Sequence, residues 1–213
     1  MAYSLSYLKK NILYCDDSII AFNKPHNFLS VPGRGFGGLN CLSANLKKIF
    51  SEIYVVHRLD MATSGVIFYA RNKESQIDLC KQFEKREILK EYVAVVHGRL
   101  VGSGFITLPI ISDKKKKLNQ KICHMNGKKS LTKYTSLEFD IYNNTTRVLL
   151  EPFTGRTHQL RVHMKSVGHT IVGDNLYSMM ADKSQRMLLH SQRAKIKHPE
   201  KNTALEVKST SEF

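Results

Sequence analysis

Hydrophobic and polar positions alternate over short stretches along most of this chain, a pattern that predicts a mixed fold rich in strands and poor in helices. Residues 12–14 and 19–23 read as a hairpin around the turn-forming Cys15-Asp16-Asp17-Ser18. Pro32 and the glycines Gly33, Gly35, Gly37 and Gly38 then mark a surface loop, in which Arg34 can reach a ligand. Leu42, Leu46, Ile49 and Phe50 recur at helical spacing and predict a helix over residues 42–50, packed on a sheet. The apolar segments at 55–56 and 66–70 read as strands that bracket a polar corner, residues 57–65. Residues 73–86 predict an amphipathic helix with Ile77, Cys80 and Phe83 turned inward. A buried strand over 92–96 follows and ends at Gly98. Further strands are expected at 105–108, 132–139, 145–150, 186–189, 195–197 and 205–207, and a helix at 158–167 stopped by Gly168. No repeat, linker or composition shift divides the chain, so the expectation is one domain over residues 1–213.

Charge sharpens this picture more than composition does. The formal net charge is +15 over 213 residues, which points to a polyanionic partner, nucleic acid first, although a lysine-rich surface also serves solubility. Lys114-Lys115-Lys116-Lys117 reads either as a solvated loop or as a sequence-independent phosphate contact. No run approaches the roughly 18 apolar residues of a membrane span, and residues 1–10 lack the apolar centre of a secretory signal, so a soluble cytoplasmic protein is expected. Cys15, Cys41, Cys80 and Cys123 lie far apart without a CxxC pair, which gives no metal or redox motif and suggests reduced thiols.

Candidate chemistry sits in three polar segments set between apolar flanks: residues 57–65, Lys90-Glu91-Tyr92, and residues 155–163. Asp60 follows one strand and precedes Gly65, so backbone on both sides can hold its carboxylate rigid, as an acid, base or nucleophile requires. The same position suits a turn cap or a partner for Arg58. In the third segment helical spacing puts His158 and Arg161 on one side, with Arg156 at the helix entrance. That edge fits anion binding or carboxylate pairing, and an arginine beside Asp60 would keep it ionised and oriented; a structural ion pair has the same signature. A metal set of His158, His163 and Asp60 lacks a cysteine or acidic helper.

Taken together, Phe22-Asn23-Lys24-Pro25, Leu29-Ser30-Val31-Pro32-Gly33-Arg34, His57-Arg58-Leu59-Asp60 with Thr63-Ser64-Gly65, and Gly155-Arg156-Thr157-His158-Gln159-Leu160-Arg161-Val162-His163 resemble the RluA family of pseudouridine synthases. Gly173-Asp174 with Tyr177, and Leu188-Leu189-His190, fall in the same order and spacing, so that the resemblance spans about residues 12–207. It implies an α+β catalytic fold, a mixed and largely antiparallel sheet flanked by helices and loops around a central RNA-binding cleft. By position it assigns Asp60 as the aspartate that starts detachment of uracil from its ribose, Tyr92 as the tyrosine that stacks on the ring, and Arg161 as the arginine paired with the catalytic aspartate. Arg58 matches the arginine that enters the RNA stack when the base flips out, which lowers a cost of a few kcal/mol. The RNA-binding set it implies is Arg58, Arg34, His57, Arg156 and His158, with Lys128 and Lys129 on a more variable surface that tunes substrate choice. It implies no cofactor and no metal, and the family's usual state is a monomer.

Only 56 residues precede His57, too few for an S4-type RNA-binding domain ahead of the catalytic one. Together with the LSVPGR loop and the 57–66 segment, this resembles the dual-specificity RluA branch, whose members modify uridine 32 of tRNA anticodon stem-loops and uridine 746 of 23S rRNA. Two positions depart from the pattern: Thr170 stands where proline is usual, and Asn27 where glycine is common after Lys24-Pro25. Three other readings compete. A non-catalytic RNA-binding module would have no need of Asp60, Tyr92 and Arg161; an RluA-type synthase with another rRNA or tRNA target keeps them all. A metal-dependent nuclease built on Asp60 and Asp174 lacks a carboxylate cluster.

Overall fold

Strands carry the architecture, as the alternation predicts, in a computed structural model that describes residues 3–33, 40–178, 184 and 186–213. Arg34 lies outside the described residues. In chain order the elements are α1 (Leu5–Lys10), β1 (Ile12–Cys15), β2 (Ile19–Lys24), α2 (Leu42–Leu46), β3 (Tyr54–Val55), β4 (Ser64–Ala70), α3 (Lys73–Lys85) and β5 (Leu89–His97). They continue as β6 (Ser103–Ile106), β7 (Ile110–Ser112), β8 (Gln120–Ile122), β9 (Thr132–Asp140), β10 (Thr145–Pro152), α4 (Gln159–Ser166), β11 (Leu189–Lys197) and β12 (Ala204–Lys208). The chain forms two compact units, one of Met1–Leu89 with Ser191–Glu212 and one of Lys90–His190 with Phe213. Among the described residues no helix is long and apolar enough to cross a membrane.

In the first unit the sheet runs β1-β2-β4-β11, with β3 also on β4 and β12 on β11. The β1/β2, β2/β4, β3/β4 and β11/β12 pairings are antiparallel. β4 is buried along its whole length and β2 at all but one residue, which is why both read as continuous apolar runs rather than as alternating strands. Ile19, Ala21, Val66, Phe68 and Ala70 from these strands pack with Leu79 of α3 and with Ala194, Ile196 and Val207 of the returning strands.

Helix α3 starts at Asn72, whose side chain accepts the Ser75 N–H at 2.8 Å, and ends at Arg86 in the left-handed conformation. Its inward face differs from the expected one. Ser75, Leu79 and Gln82 are buried, whereas Ile77 and Cys80 are exposed and Phe83 is half-buried. The cause is Gln82, whose side-chain amide donates to Lys197 O (2.7 Å) and accepts the Lys197 N–H (3.0 Å). It serves the end of β11 as another strand would, and so turns the helix by its polar residues. Helix α2 stops at Leu46 rather than at Phe50, because the following N–H groups of Lys48 and Ile49 bond three residues back and tighten the chain into turns.

The second unit is an antiparallel sheet in the order β5-β10-β9-β6, in which β9 and β10 form a hairpin, beside a two-stranded sheet of β7 and β8. Strand β10 alternates half-buried and buried residues, which gives this sheet one core face. Val162 of α4 packs with Ile110 and Tyr177. α4 begins after His158 in the left-handed conformation and is followed by Gly168 at φ +87°, the stop expected there. Of the strand expected at 186–189 only Leu189 is one, and it begins β11, which runs unbroken through the segment expected at 195–197; α1, β7 and β8 have no counterpart among the expected elements.

Candidate active site

The polar corner between β3 and β4 is braced from residues that precede it in the chain. Asp60 is half-buried, and its carbonyl accepts the Thr63 N–H at 3.1 Å to close the turn. On one side of it, Ser30 Oγ donates to Leu59 O (2.9 Å) and accepts the Leu59 N–H (3.2 Å), so both polar groups of that residue's backbone are held by one hydroxyl. On the other side, Met61 O accepts the Phe28 N–H and the Lys24 ammonium, each at 3.1 Å. Lys24 is fully buried, and its ammonium also donates to Pro25 O (2.8 Å) and Phe28 O (2.7 Å). A buried ammonium is costly unless hydrogen-bonded, and three carbonyls around one nitrogen answer that requirement. The Asn23-Lys24-Pro25 and Leu29-Ser30 motifs thus hold the peptides on both sides of Asp60.

Gly65 completes the corner. Its φ is +105°, and a Cβ there would lie 2.2 Å from Ser191 O, so only glycine permits this approach of β4 to β11. His57 is turned into the unit: its Nε2 accepts the Phe68 N–H at 2.9 Å and its ring stacks on Phe83 with centroids 4.4 Å apart. Arg58 beside it is exposed, as is Met61. The corner therefore gathers His57, Arg58 and Asp60, with the imidazole as a brace and the guanidinium facing outward.

In the second unit Tyr92 is half-buried on β5, opposite Leu150 of β10. Arg161, only 5% exposed, projects from α4 to Asp174, with Nε donating to Oδ2 at 2.8 Å and Nη2 to Oδ1 at 2.6 Å. This bidentate pair uses two of the five guanidinium N–H donors. Asp174 is itself buried, and its Oδ1 also accepts the N–H groups of Leu176 (3.1 Å) and Tyr177 (3.2 Å). Gly173 before it has φ +77°, where a Cβ would meet Arg186 O at 2.0 Å. The Tyr177 ring lies under the Arg161 guanidinium, 5.1 Å from its centroid, and under the Lys165 ammonium at 5.7 Å. Its hydroxyl accepts the Gln120 N–H at 2.7 Å and shares a hydrogen bond of 2.8 Å with His158 Nδ1. His158 and Arg161 do share a side of the helix entrance, as the spacing implied, and Tyr177 is what they share.

Asp174 and Tyr177 are the residues whose work the sequence reading missed. The order Gly173-Asp174 and Tyr177 was visible; that Asp174 is committed to Arg161, and not to a metal as the nuclease reading required, was not. His163 likewise leaves the metal set. It is fully buried, with Nδ1 bonded to Thr132 Oγ1 and Nε2 to Leu108 O, both at 2.9 Å. Burial pushes the His163 imidazole below its usual value, against the opposing pull of the Leu108 carbonyl. Arg156 is half-exposed and donates from Nε to Lys129 O at 3.3 Å, which brings the 155–158 turn beside Lys129. Lys128 and Lys129 are exposed, and the Lys128 backbone pairs with Ile110. Lys114, Lys115, Lys116 and Lys117 are exposed in the turn between β7 and β8.

Comparison with known proteins identifies the family of the chain. The family model for RNA pseudouridylate synthases matches residues 18–166, a span that contains the braced corner, Tyr92 and α4. The dual-specificity RNA pseudouridine synthase RluA of Escherichia coli (strain K12) is 41% identical over 205 residues, covering 95% of this chain and 93% of that protein. The protein of the same name from Yersinia pestis is 42% identical over 205 residues, covering 95% of this chain and 99% of its own. Among solved structures, human RNA pseudouridylate synthase domain containing 1 has a TM-score of 0.84 at 29% identity, covering 100% of this chain and 87% of its own. Human RNA pseudouridylate synthase domain containing 4, at 23% identity and a TM-score of 0.76 over 96% of this chain and 90% of its own, shares the fold. With a family model matched over most of its length and relatives of 41% and 42% identity over nearly all of it, the chain belongs to the RNA pseudouridylate synthase family and is an enzyme that converts uridine to pseudouridine in RNA.

Proposed function

We propose that Asp60 is the catalytic carboxylate of this synthase, with Tyr92 and Arg161 completing the catalytic set and uridines of a tRNA anticodon stem-loop and of 23S rRNA as targets. The observation that carries the reading is the corner itself: Ser30 and Lys24 clamp the peptides flanking a half-buried carboxylate, which supports a rigidly held acid. In the reaction the bond from the sugar carbon to the uracil nitrogen breaks, the ring turns, and a carbon–carbon bond replaces it; the ring carbon gives up its proton and the freed nitrogen takes one up, so that product and substrate are isomers. A rigid carboxylate starts that exchange, Tyr92 offers a ring face for the flipped base, and the Arg161 guanidinium is the cation that the resemblance assigns to the carboxylate.

Arg58 is the side chain that replaces the extruded base in the stack, which its exposure beside the corner supports. Lys128, Lys129 and Arg156 contact phosphates, as their exposed positions and the +15 charge favour. His57, called an RNA contact by the resemblance, is turned inward as a brace of the corner, and His158 holds the Tyr177 hydroxyl at the entrance of α4. The dual-specificity name of the E. coli and Yersinia pestis relatives supports two RNA targets, and the two that the sequence resemblance implies are uridine 32 of tRNA anticodon stem-loops and uridine 746 of 23S rRNA. The test has two arms. Asp60→Asn should abolish pseudouridine formation while RNA affinity persists, and turnover by that variant removes Asp60 from the mechanism. Incubation of the protein with total RNA from a synthase-deficient strain, followed by mapping of new pseudouridines, tests the targets; modification at other sites only refutes them.

A further inference from the structure

We infer that Tyr177 is a positioning residue that ties the lysine-bearing β7–β8 hairpin to the helix of Arg161: its hydroxyl fixes the hairpin and its ring supports the arginine. The inference rests on the roles proposed above for Arg161 and for RNA binding, and it extends the RNA surface to Lys114, Lys115, Lys116 and Lys117.

The two halves of this side chain serve different elements. Tyr177 is 3% exposed, yet its hydroxyl is not a lone polar tip in a core. A phenol has one donor and two acceptor positions, and this one takes the Gln120 N–H, at the first residue of β8, and engages His158 Nδ1, at the residue that opens α4. The hairpin has a second tie to the same segment, where Asn119 Nδ2 donates to Leu176 O at 3.2 Å, and Ile122 packs against the cluster of Ile110, Val162 and Tyr177. The ring face meanwhile lies under Arg161 and Lys165, and the Tyr177 N–H bonds the Asp174 carboxylate that grips Arg161. Strand β8 is three residues long, too short to hold its own register firmly, so the loop with its four exposed lysines depends on this anchor. Phosphate seated on that loop and the stance of Arg161 are thus linked through one tyrosine.

Two variants separate the halves. Tyr177→Phe keeps the ring and deletes the hydroxyl; it should raise KM for the RNA substrate by about three- to tenfold with kcat within about twofold, the pattern of lost binding common to ground and transition states. Tyr177→Leu also removes the ring face and should lower kcat by about tenfold or more. Amide hydrogen exchange gives a readout independent of activity: protection of the Gln120 N–H should fall in Tyr177→Phe while that of the β9 and β10 amides is kept. Gln120→Pro deletes the donor instead of the acceptor, at a strand's first residue where proline is tolerated. The double variant should be no worse in KM than either single one. Unchanged KM and unchanged Gln120 exchange in Tyr177→Phe, or additive effects in the double variant, overturn the inference. So does a fall in kcat of Tyr177→Phe that tracks its loss of stability. Asp60→Asn, assayed alongside, keeps the outcomes apart: its retained activity would refute the proposed mechanism, whereas an inactive Asp60→Asn with an unaltered Tyr177→Phe refutes this inference alone.

Discussion

Replacing Asp174 by asparagine preserves the side chain's shape and removes the charge that faces Arg161. Asparagine Oδ1 can still accept the Leu176 and Tyr177 N–H groups, but its amide nitrogen would oppose the Arg161 Nε–H across the 2.8 Å now spanned by a hydrogen bond. Both partners are buried, with side-chain exposures of 6% and 1%, so screening by water offers little relief. Breaking one side of such a pair costs about 3–5 kcal/mol, because the other charge stays buried with its bidentate carboxylate gone. Against a total stability of about 5–15 kcal/mol, that is a large fraction. With a urea m-value near 2 kcal/mol/M, the midpoint should move down by about 1.5–2.5 M. The assay is urea unfolding of the two proteins, with pseudouridine formation measured at a temperature where both are folded. Adding Arg161→Met to Asp174→Asn removes the buried charge, keeps an acceptor for the Leu176 and Tyr177 N–H groups, and should recover much of that loss while leaving the enzyme inactive. A midpoint for Asp174→Asn within about 0.5 M of the parent, equivalent to about 1 kcal/mol, would mean that the pair is worth no more than an exposed one, and the argument from burial would fail.

Lys24→Met keeps most of the volume and withdraws the donor from three carbonyls; Met61 O keeps the Phe28 N–H, and a carbonyl left unsatisfied carries a penalty of about 1–3 kcal/mol. Single-turnover assays should show at least a tenfold loss of pseudouridine formation with RNA affinity retained; equal activity would separate Lys24 from the placement of Asp60. Asn27 holds φ 54°, so Asn27→Gly should be neutral or stabilising, by up to about 1 kcal/mol, and Asn27→Val destabilising by about 1–2 kcal/mol, as read from thermal midpoints. For His163 the folded imidazole is held below its usual value of 6.5, so on acidification the unfolded chain takes up the proton first. The stabilisation it allows is whole at neutral pH and is lost as pH falls through 6.5 toward the folded value. His163→Gln should flatten the slope of unfolding free energy between about pH 5 and 7, and an unaltered slope would assign the pH dependence elsewhere.

Legibility in the sequence followed the distance over which each interaction acts. The β1–β2 hairpin, the corner before β4 and the start and stop of α4 depend on neighbours within a few residues, and the local pattern contains them. The inward face of α3 depends on Gln82 meeting Lys197, 115 residues away, and a hydrophobicity rule could only choose Ile77 and Cys80 instead. Strand β11 looked broken because its middle is polar, yet His190 and Ser191 there are buried. The passage between the two units falls within the strands β5 and β11, so no linker composition marks it. At the site, the identities of Asp60, Tyr92 and Arg161 came from motif order, while the work of Lys24, Ser30 and Asp174 needed coordinates. The two departures from the family pattern are also local in effect. Asparagine is the residue other than glycine best suited to the left-handed conformation found at 27, and Thr170 uses its carbonyl to accept the His97 N–H at 2.9 Å.

The braces around Asp60 and Arg161 lie in opposite directions along the chain from the groups they serve: residues 24–30 come before Asp60, and residues 174–177 come after Arg161. A fragment cut to residues 18–166 would hold every proposed catalytic side chain and yet lack the carboxylate that grips Arg161 in a bidentate pair. For anyone trimming or grafting this enzyme, the end of the matched span is therefore no safe boundary: Asp174 lies eight residues beyond it, and β11 and β12, which complete the first unit's sheet, lie further still.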